Sequence, residues 1–283
     1  MINIRMALKQ ALQKLDEFAP DSRLEAELLL SYLLNKNRGY LFAHPEELLS
    51  QTQLNKYQQL IEQRSQGTPI AYLTGSREFW SLSLKVNEHT LIPRHETERL
   101  VELALALLPN KPEIRVLDLG TGSGAIALAL AKERPNWNIS ACDCSLETLG
   151  IAQINAQDHG ITNVSFYYSN WFNNLPDTQY HAIVSNPPYI AENDPHLKQG
   201  DLRFEPLKAL ASSQEGFADL QCIITEGYEY LLPDGLLLLE HGSDQKIGTR
   251  AILERTGYRN IQCWQDIQGH DRVSGGYRPA NTI

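Results

Sequence analysis

Residues Arg115–Leu119 run directly into Gly120-Thr121-Gly122-Ser123-Gly124 and then into the seven-residue apolar stretch Ala125–Ala131. This is a strand running into a glycine-rich turn and then a helix, and the glycines let the backbone turn tightly and approach a ligand with no Cβ in the way. The same rhythm continues through Asn138–Cys142, Glu147–His159 and Val164–Tyr168, with further strands expected at His181–Ser185 and Leu236–His241. Strands alternating with helices of this length predict βαβ units, an α/β chain and a parallel sheet. Ile261–Asp266 and Arg272–Tyr277 suit a terminal antiparallel hairpin.

The N-terminal part has a different period. Ile4, Leu8, Leu12 and Leu15 give one apolar face to a helix over Ile4–Phe18, and Pro20-Asp21-Ser22 breaks it and caps a second over Leu24–Leu34. Pro45-Glu46-Glu47 reads as the first turn of another helix, with Leu54, Tyr57, Ile61 and Arg64 continuing helically to Gly67. Residues 1–74 are therefore expected to form an all-α bundle. Phe79–Asn87 alternates at Leu82, Leu84 and Val86 as a half-buried strand, within a β-hairpin linker over 75–93. A third region, 94–283, holds the sheet, entered by a helix from Thr97 to Pro109.

Charge divides along the same line. The first 75 residues carry eight basic and eight acidic side chains, so the net charge of −9 belongs to the remainder. That balance is poor for gripping a phosphate backbone, and no direct nucleic-acid partner is expected. The longest apolar run is seven residues, where a membrane span needs about 20, so no membrane partner is expected. No signal-peptide pattern opens the chain, and Cys142, Cys144, Cys222 and Cys263 show neither C-x-x-C spacing nor zinc spacing. A cytoplasmic protein without a metal is expected.

The glycine loop alone admits more than one ligand. Asp143, at the end of the next strand, can accept hydrogen bonds from both hydroxyls of a ribose. Gly120-x-Gly122-x-x-Ala125 also satisfies a relaxed dinucleotide fingerprint, and a purely structural turn is a third reading. Asp118, two residues before the first glycine, resembles motif I of S-adenosylmethionine (SAM)-dependent methyltransferases, where the loop wraps the amino-acid end of SAM.

Ser185-Asn186-Pro187-Pro188-Tyr189-Ile190 narrows the choice. Two prolines cannot continue a hydrogen-bond ladder, so Asn186 and Tyr189 project from a stiff turn ending a strand. The Asn186 carboxamide oxygen and the Pro187 carbonyl can each accept a hydrogen from a planar NH₂ group, on which the Tyr189 ring can stack. Asp/Asn-Pro-Pro-Tyr marks methyltransferases of planar nitrogens in DNA adenine, DNA cytosine and protein glutamine. Around it stand Gly75-x-Arg77-Glu78-Phe79-Trp80, Leu91-Ile92-Pro93-Arg94-x-Glu96-Thr97-Glu98, Phe204-Glu205-Pro206 and Gly269-x-Asp271-Arg272, in order. With these, nearly the whole chain resembles the PrmC/HemK family, the glutamine N5-methyltransferases of peptide chain release factors.

That resemblance implies a Rossmann-like SAM-dependent methyltransferase domain behind a helical domain that docks the protein substrate. It implies SAM contacts at Gly120, Thr121, Gly122, Ser123, Gly124, Asp143, Trp171 and Asn186, with Trp171 beside the adenine. It implies a glutamine pocket of Asn186, Pro187, Pro188 and Tyr189, with Asn186, Pro187 and Tyr189 catalytic. His95, Cys144, Asn170 and His270 depart from the family pattern. Glu205 is read as an acid satisfying backbone amides of a closing loop rather than as a base, Arg272 as a salt-bridge residue, and Tyr167-Tyr168 as strand packing. His241 is a lesser catalytic candidate. The rival functions are a DNA adenine N6-methyltransferase, which would want a basic face, a nicotinamide-dependent oxidoreductase and a non-catalytic SAM-binding adaptor.

Overall fold

The computed structural model describes residues 2–15, 21–176 and 178–280. The expected helix end at Phe18 and break at Pro20 lie outside the described residues. The chain divides into two units, Met1–Ser76 and Arg77–Ile283.

In the first unit, α1 (Ile4–Leu15) buries Ile4, Ala7, Ala11 and Leu15, one face at three- and four-residue spacing. Its orphan N–H groups find partners outside the helix: Ile4 and Arg5 donate to the carbonyls of Glu47 and Pro45, both at 3.0 Å, and Met6 donates to Asn3 Oδ1. Pro45-Glu46-Glu47 is thus not the first turn of a helix as expected; its carbonyls face outward to cap α1. Next come α2 (Ser22–Leu34), capped by Asp21, and α3 (Arg38–Ala43), capped by Asn37. The following helix, α4 (Gln51–Ser65), starts at a capping box of Ser50 and Gln53, which supplies the start signal that Pro45 does not. A short α5 (Ile70–Thr74) ends on Gly75 at φ 72°.

The second unit opens with a hairpin of β1 (Ser76–Phe79) and β2 (Leu82–Lys85). The single strand expected over Phe79–Asn87 is broken because Trp80 and Ser81 both adopt left-handed φ, 51° and 55°, as a two-residue hairpin turn demands. Neither residue favours that conformation. Glu98 holds the Trp80 N–H at 2.9 Å and Glu133 holds its indole N–H at 3.0 Å, fixing the turn from outside. The chain continues through α6 (Glu98–Leu107), β3 (Arg115–Leu119), α7 (Ala125–Glu133), β4 (Asn138–Asp143), α8 (Leu146–Asp158), β5 (Val164–Tyr168) and β6 (Tyr180–Ser185). A small parallel pair, β7 (Ile190–Ala191) and β8 (Ala211–Ser212), precedes α9 (Ser213–Gly216) and α10 (Ala218–Tyr230). Then follow β9 (Leu231–Glu240), α11 (Lys246–Thr256) and the terminal hairpin of β10 (Arg259–Gln265) and β11 (Asp271–Tyr277).

Seven strands form the sheet in the order β10-β11-β9-β6-β3-β4-β5, with β9, β6, β3, β4 and β5 parallel and β11 antiparallel to both neighbours. Alternate residues enter two cores. Val116, Ala141, Val184 and Leu238 face one, with the buried stretch Ala125–Ala131 of α7 against it; Leu117, Cys142, Ile183 and Leu237 face the other, beneath α10 and α11. Burial on both faces is what made these strands read as continuous apolar runs. The register places Leu119 beside Ser185 and Cys142, and Ser185 beside Leu239. The residues that follow these pairs therefore emerge together at the carboxyl edge. Among the described residues no helix is long and apolar enough to cross a membrane.

Candidate active site

At that edge lies a cavity of about 760 Å³, within the usual size of a small-molecule site. It sits where β3 and β6 lead their connections to opposite sides, the switch point at which open α/β sheets hold ligands. The Ser185 hydroxyl donates to Leu119 O at 2.7 Å and ties the two strand ends together.

Gly120, Gly122 and Gly124 have φ of 69°, 58° and 87°, so the turn needs glycine at all three. Their surroundings differ. A Cβ on Gly124 would press on Leu128 and Ala152, one on Gly120 would come to 3.4 Å from the Trp171 indole, and one on Gly122 would stand in open space. Gly120, Thr121, Gly122 and Ser123 line the cavity, whereas Gly124 is a packing residue beneath it.

Three loop N–H groups are already engaged: Thr121 with Cys142 O, Gly124 with Thr121 O, and Gly122 with Asp143 Oδ2 at 3.1 Å. Asp118 is fully buried, accepting from Thr121 Oγ1 at 2.6 Å and from the Ala127 N–H near the start of α7 at 3.1 Å. Desolvation pushes its carboxyl up to about 7 against the pull of those two bonds. An acid thus reaches the helix terminus that a dinucleotide pyrophosphate would use, and the amides of Thr121, Gly122 and Gly124 are engaged within the protein. Asp143 accepts one backbone bond on each oxygen, from Gly122 and from Ser145 at 3.0 Å, which leaves lone pairs on both for a pair of hydroxyls. Burial raises its pKa. The donor set fits the nucleoside of SAM: a carboxylate for the ribose, an indole face, and a loop without a phosphate cradle.

Trp171 lines the cavity at φ 48°, its indole N–H donating to Asp219 Oδ1 at 3.1 Å. Asn186 and Pro188 line the same cavity, and Pro187 is buried. The Asn186 Nδ2 donates to Thr97 Oγ1 at 3.1 Å, which leaves its Oδ1 as the atom available to a ligand. Tyr189 is not among the cavity-lining residues. Its ring packs against the core under α10 and α11, and its hydroxyl donates to Glu240 Oε1 at 3.3 Å.

The other candidates sort themselves by contact. Glu205 accepts the Ile92 N–H at 3.0 Å and the Arg94 guanidinium. Arg272 bonds Asp266 and the His241 carbonyl. His241 is buried with its ring nitrogens on Gly242 O and Ser274 Oγ, both at 2.7 Å, and burial lowers its pKa. Tyr168, read as strand packing, instead lines the cavity and is 53% exposed. Thr97, Asp219 and Glu240 had not been singled out. Thr97 lies inside the Leu91–Glu98 motif, and Glu240 immediately precedes His241.

Comparison with known proteins decides the lineage. A family model described as PrmC N-terminal domain matches residues 6–75, and one described as Methyltransferase small domain matches residues 95–201. Release factor glutamine methyltransferase of Coxiella burnetii is 47% identical over 273 residues, covering 96% of this chain and 98% of that one. The chain belongs to the release factor glutamine methyltransferase family. Family members from Vibrio cholerae (48% identical, 97% and 96% covered) and Escherichia coli (46% identical, 95% and 96% covered) match as fully. A methyltransferase from Pyrococcus furiosus shares the fold, with a TM-score of 0.52 at 14% identity over 70% of this chain and 89% of that one. As a release factor glutamine methyltransferase family member, the protein is a SAM-dependent methyltransferase.

Proposed function

We propose that the protein transfers a methyl group from SAM to the side-chain amide nitrogen (N5) of the glutamine in the Gly-Gly-Gln motif of peptide chain release factors. The observation that carries this reading is the Asn186–Thr97 bond, which turns a carboxamide oxygen toward the cavity that the glycine loop and Asp143 line. Near full-length similarity to relatives bearing that name supports it, whereas the DNA adenine alternative finds no such support.

Bound SAM supplies an electrophilic methyl carbon. Gly120, Thr121, Gly122 and Ser123 would hold its amino-acid end, Asp143 its ribose and Trp171 the face of its base, with Gly124 setting the turn. An amide nitrogen is a poor nucleophile because its lone pair is delocalised into the carbonyl. The protein's task is therefore to place that nitrogen in line with the methyl carbon, at about 3–3.5 Å, and to favour the charge-gaining transition state. Asn186 Oδ1 and the Pro187 carbonyl would accept the two amide hydrogens and aim the nitrogen's remaining face at the methyl. Pro188 keeps the turn stiff, and Tyr189 braces it from behind through its packing and its Glu240 bond. The nitrogen–carbon bond would form as the carbon–sulfur bond breaks, the sulfur leaving as a neutral thioether, and the cationic methylated nitrogen would then give its proton to solvent water. The helical first unit, with balanced charge, would dock the release factor.

Asn186→Ala tests the assignment. Loss of one preorganised acceptor lowers kcat about 10²-fold or more, while SAM affinity stays close to wild type. Single-turnover kinetics on a release factor, with calorimetry of SAM binding in parallel, reads both; a near-wild-type rate removes Asn186 from the pocket.

A further inference from the structure

The Asn186–Tyr189 turn is held at both ends, and the far end is held by a side chain outside the cavity. Pro187 and Pro188 have no N–H, so the middle of the turn offers only carbonyl oxygens for backbone hydrogen bonds. At the near end, Ser185 sits in register with Leu119 and Leu239, and its hydroxyl bonds Leu119 O. At the far end, Gln245 Nε2 donates to Tyr189 O at 3.0 Å and to Gly216 O at 3.3 Å. Gln245 Oε1 accepts the Gly242 N–H at 2.8 Å. Both amide hydrogens and the oxygen are thus spent, and a flipped carboxamide would set its oxygen against two carbonyls. Gln245 is 5% exposed and does not line the cavity. β7, which follows the turn, is two residues long and pairs with the equally short β8, so little of the hold comes from that ladder.

The backbone on the other side of this contact is unusual. Gln214 and Glu215 in α9 are left-handed at φ 54° and 58°, and Gly216 follows at 86°. Such a run persists only where its surroundings over-determine it. A Cβ on Gly216 would come to 2.2 Å from Tyr189 O and 2.8 Å from Gln245 Nε2, so glycine is what lets the two backbones approach. We propose that Gln245 is a positioning residue for methyl transfer: by holding the Tyr189 carbonyl against Gly216 it fixes the far end of the Asn-Pro-Pro-Tyr turn, and with it the direction in which Asn186 Oδ1 and the Pro187 carbonyl meet the substrate amide. This rests on the glutamine-methyltransferase reading above. A stiff segment freed at one end pivots about the other, and misplacing reacting groups by about 1 Å costs up to about 10²-fold in rate. The cofactor side is insulated, because among the described residues the glycine loop and Asp143 share no hydrogen bond with Gln245, Gly216 or Tyr189.

Gln245→Met and Gln245→Glu separate positioning from stability. Methionine removes both donated hydrogens at similar length, whereas glutamate keeps the oxygen that accepts the Gly242 N–H and loses only the donors. Both are assayed at a temperature where circular dichroism shows them folded. With each, kcat should fall about 10-fold or more while the SAM Kd from calorimetry stays within about twofold of wild type. Relative to wild type at the same pH, Gln245→Glu should regain rate as pH falls, because a protonated carboxyl again donates to Tyr189 O; Gln245→Met should not. In an Asn186→Ala background the further loss from Gln245→Met should shrink, since one acceptor it positions is already gone. A folded Gln245→Met with wild-type kcat overturns the proposal, as do parallel losses of kcat and SAM affinity or a fully additive loss in the double variant. If Gln245→Met does not fold, Gln245→Glu carries the test, and a rate deficit that does not ease with falling pH overturns the proposal. The wild-type chain is assayed on a release factor in the same series. If it transfers no methyl, the functional reading itself fails, whereas an active wild type with an indifferent Gln245→Met removes the positioning role alone.

Discussion

Asp143 shows how one side chain serves both the loop and its ligand. Each carboxylate oxygen anchors a backbone N–H, of Gly122 or of Ser145, and keeps lone pairs turned to the cavity. Asp143→Ala should weaken SAM binding by on the order of 2–3 kcal/mol through lost charge-assisted hydrogen bonds, with the fold retained. Calorimetry giving an unchanged SAM Kd would take Asp143 out of the site. Glu240 offers a second test through stability. Its ordinary value of 4.5 rises to about 7 in the fold, so the native chain holds the proton more tightly than the unfolded chain does. Its contribution is full below about 4.5 and lost as pH rises through about 7. Glu240→Gln is neutral at every pH, so its melting temperature relative to wild type should rise between pH 6 and pH 8. A difference that does not vary with pH contradicts the buried-acid assignment. At this scale Asp143 and Asn186 were legible because each ends an apolar strand with a polar residue in a known pattern. Thr97 and Glu240 were not, since the Thr97–Asn186 bond joins residues 89 apart.

At the scale of elements, patterns within one segment were easy to read and signals that depend on a second segment were not. The buried face of α4 follows from spacing alone, down to Arg64, which is only 6% exposed, whereas α1 turns Ala7 and Ala11 inward with Ile4 and Leu15 and leaves the expected Leu8 and Leu12 half-buried at the edge of that face. What makes burial of Arg64 tolerable comes from α2: its Nε and Nη2 meet the two oxygens of Glu25, both at 2.8 Å, and Nη1 reaches the carbonyls of Gly67 and Thr68. Arg64→Ala leaves Glu25 without that bidentate partner and should destabilise the first unit by about 3 kcal/mol, seen as a lower urea midpoint. A midpoint shift equivalent to under about 0.5 kcal/mol would assign the pair to the class of weak surface bridges. The Trp80–Ser81 turn was invisible for a similar reason. Its left-handed conformation is enforced by Glu98 and Glu133, not by glycine or asparagine at the turn itself. Pro45-Glu46-Glu47 misled because proline and acids also suit a turn whose carbonyls cap another helix.

Across the whole molecule, the parallel sheet was written plainly because strands buried on both faces cannot hide their apolar runs. The ligand was harder. Gly120-x-Gly122-x-x-Ala125 admits a dinucleotide, and only the committed amides of Thr121, Gly122 and Gly124, with Asp118 near the start of α7, separate the two readings physically. The substrate is a property of the full chain, since a helical unit without recognised catalytic groups accompanies the methyltransferase unit, and the account gives it the task of docking a protein. The most direct test incubates the full chain with SAM and a purified release factor, with plasmid DNA offered in parallel, and analyses the digested factor by mass spectrometry. The account predicts one added methyl on the Gly-Gly-Gln peptide, located to the glutamine side chain, and no methyl on the DNA. An unmodified peptide, or methyl found on DNA adenine instead, would contradict it.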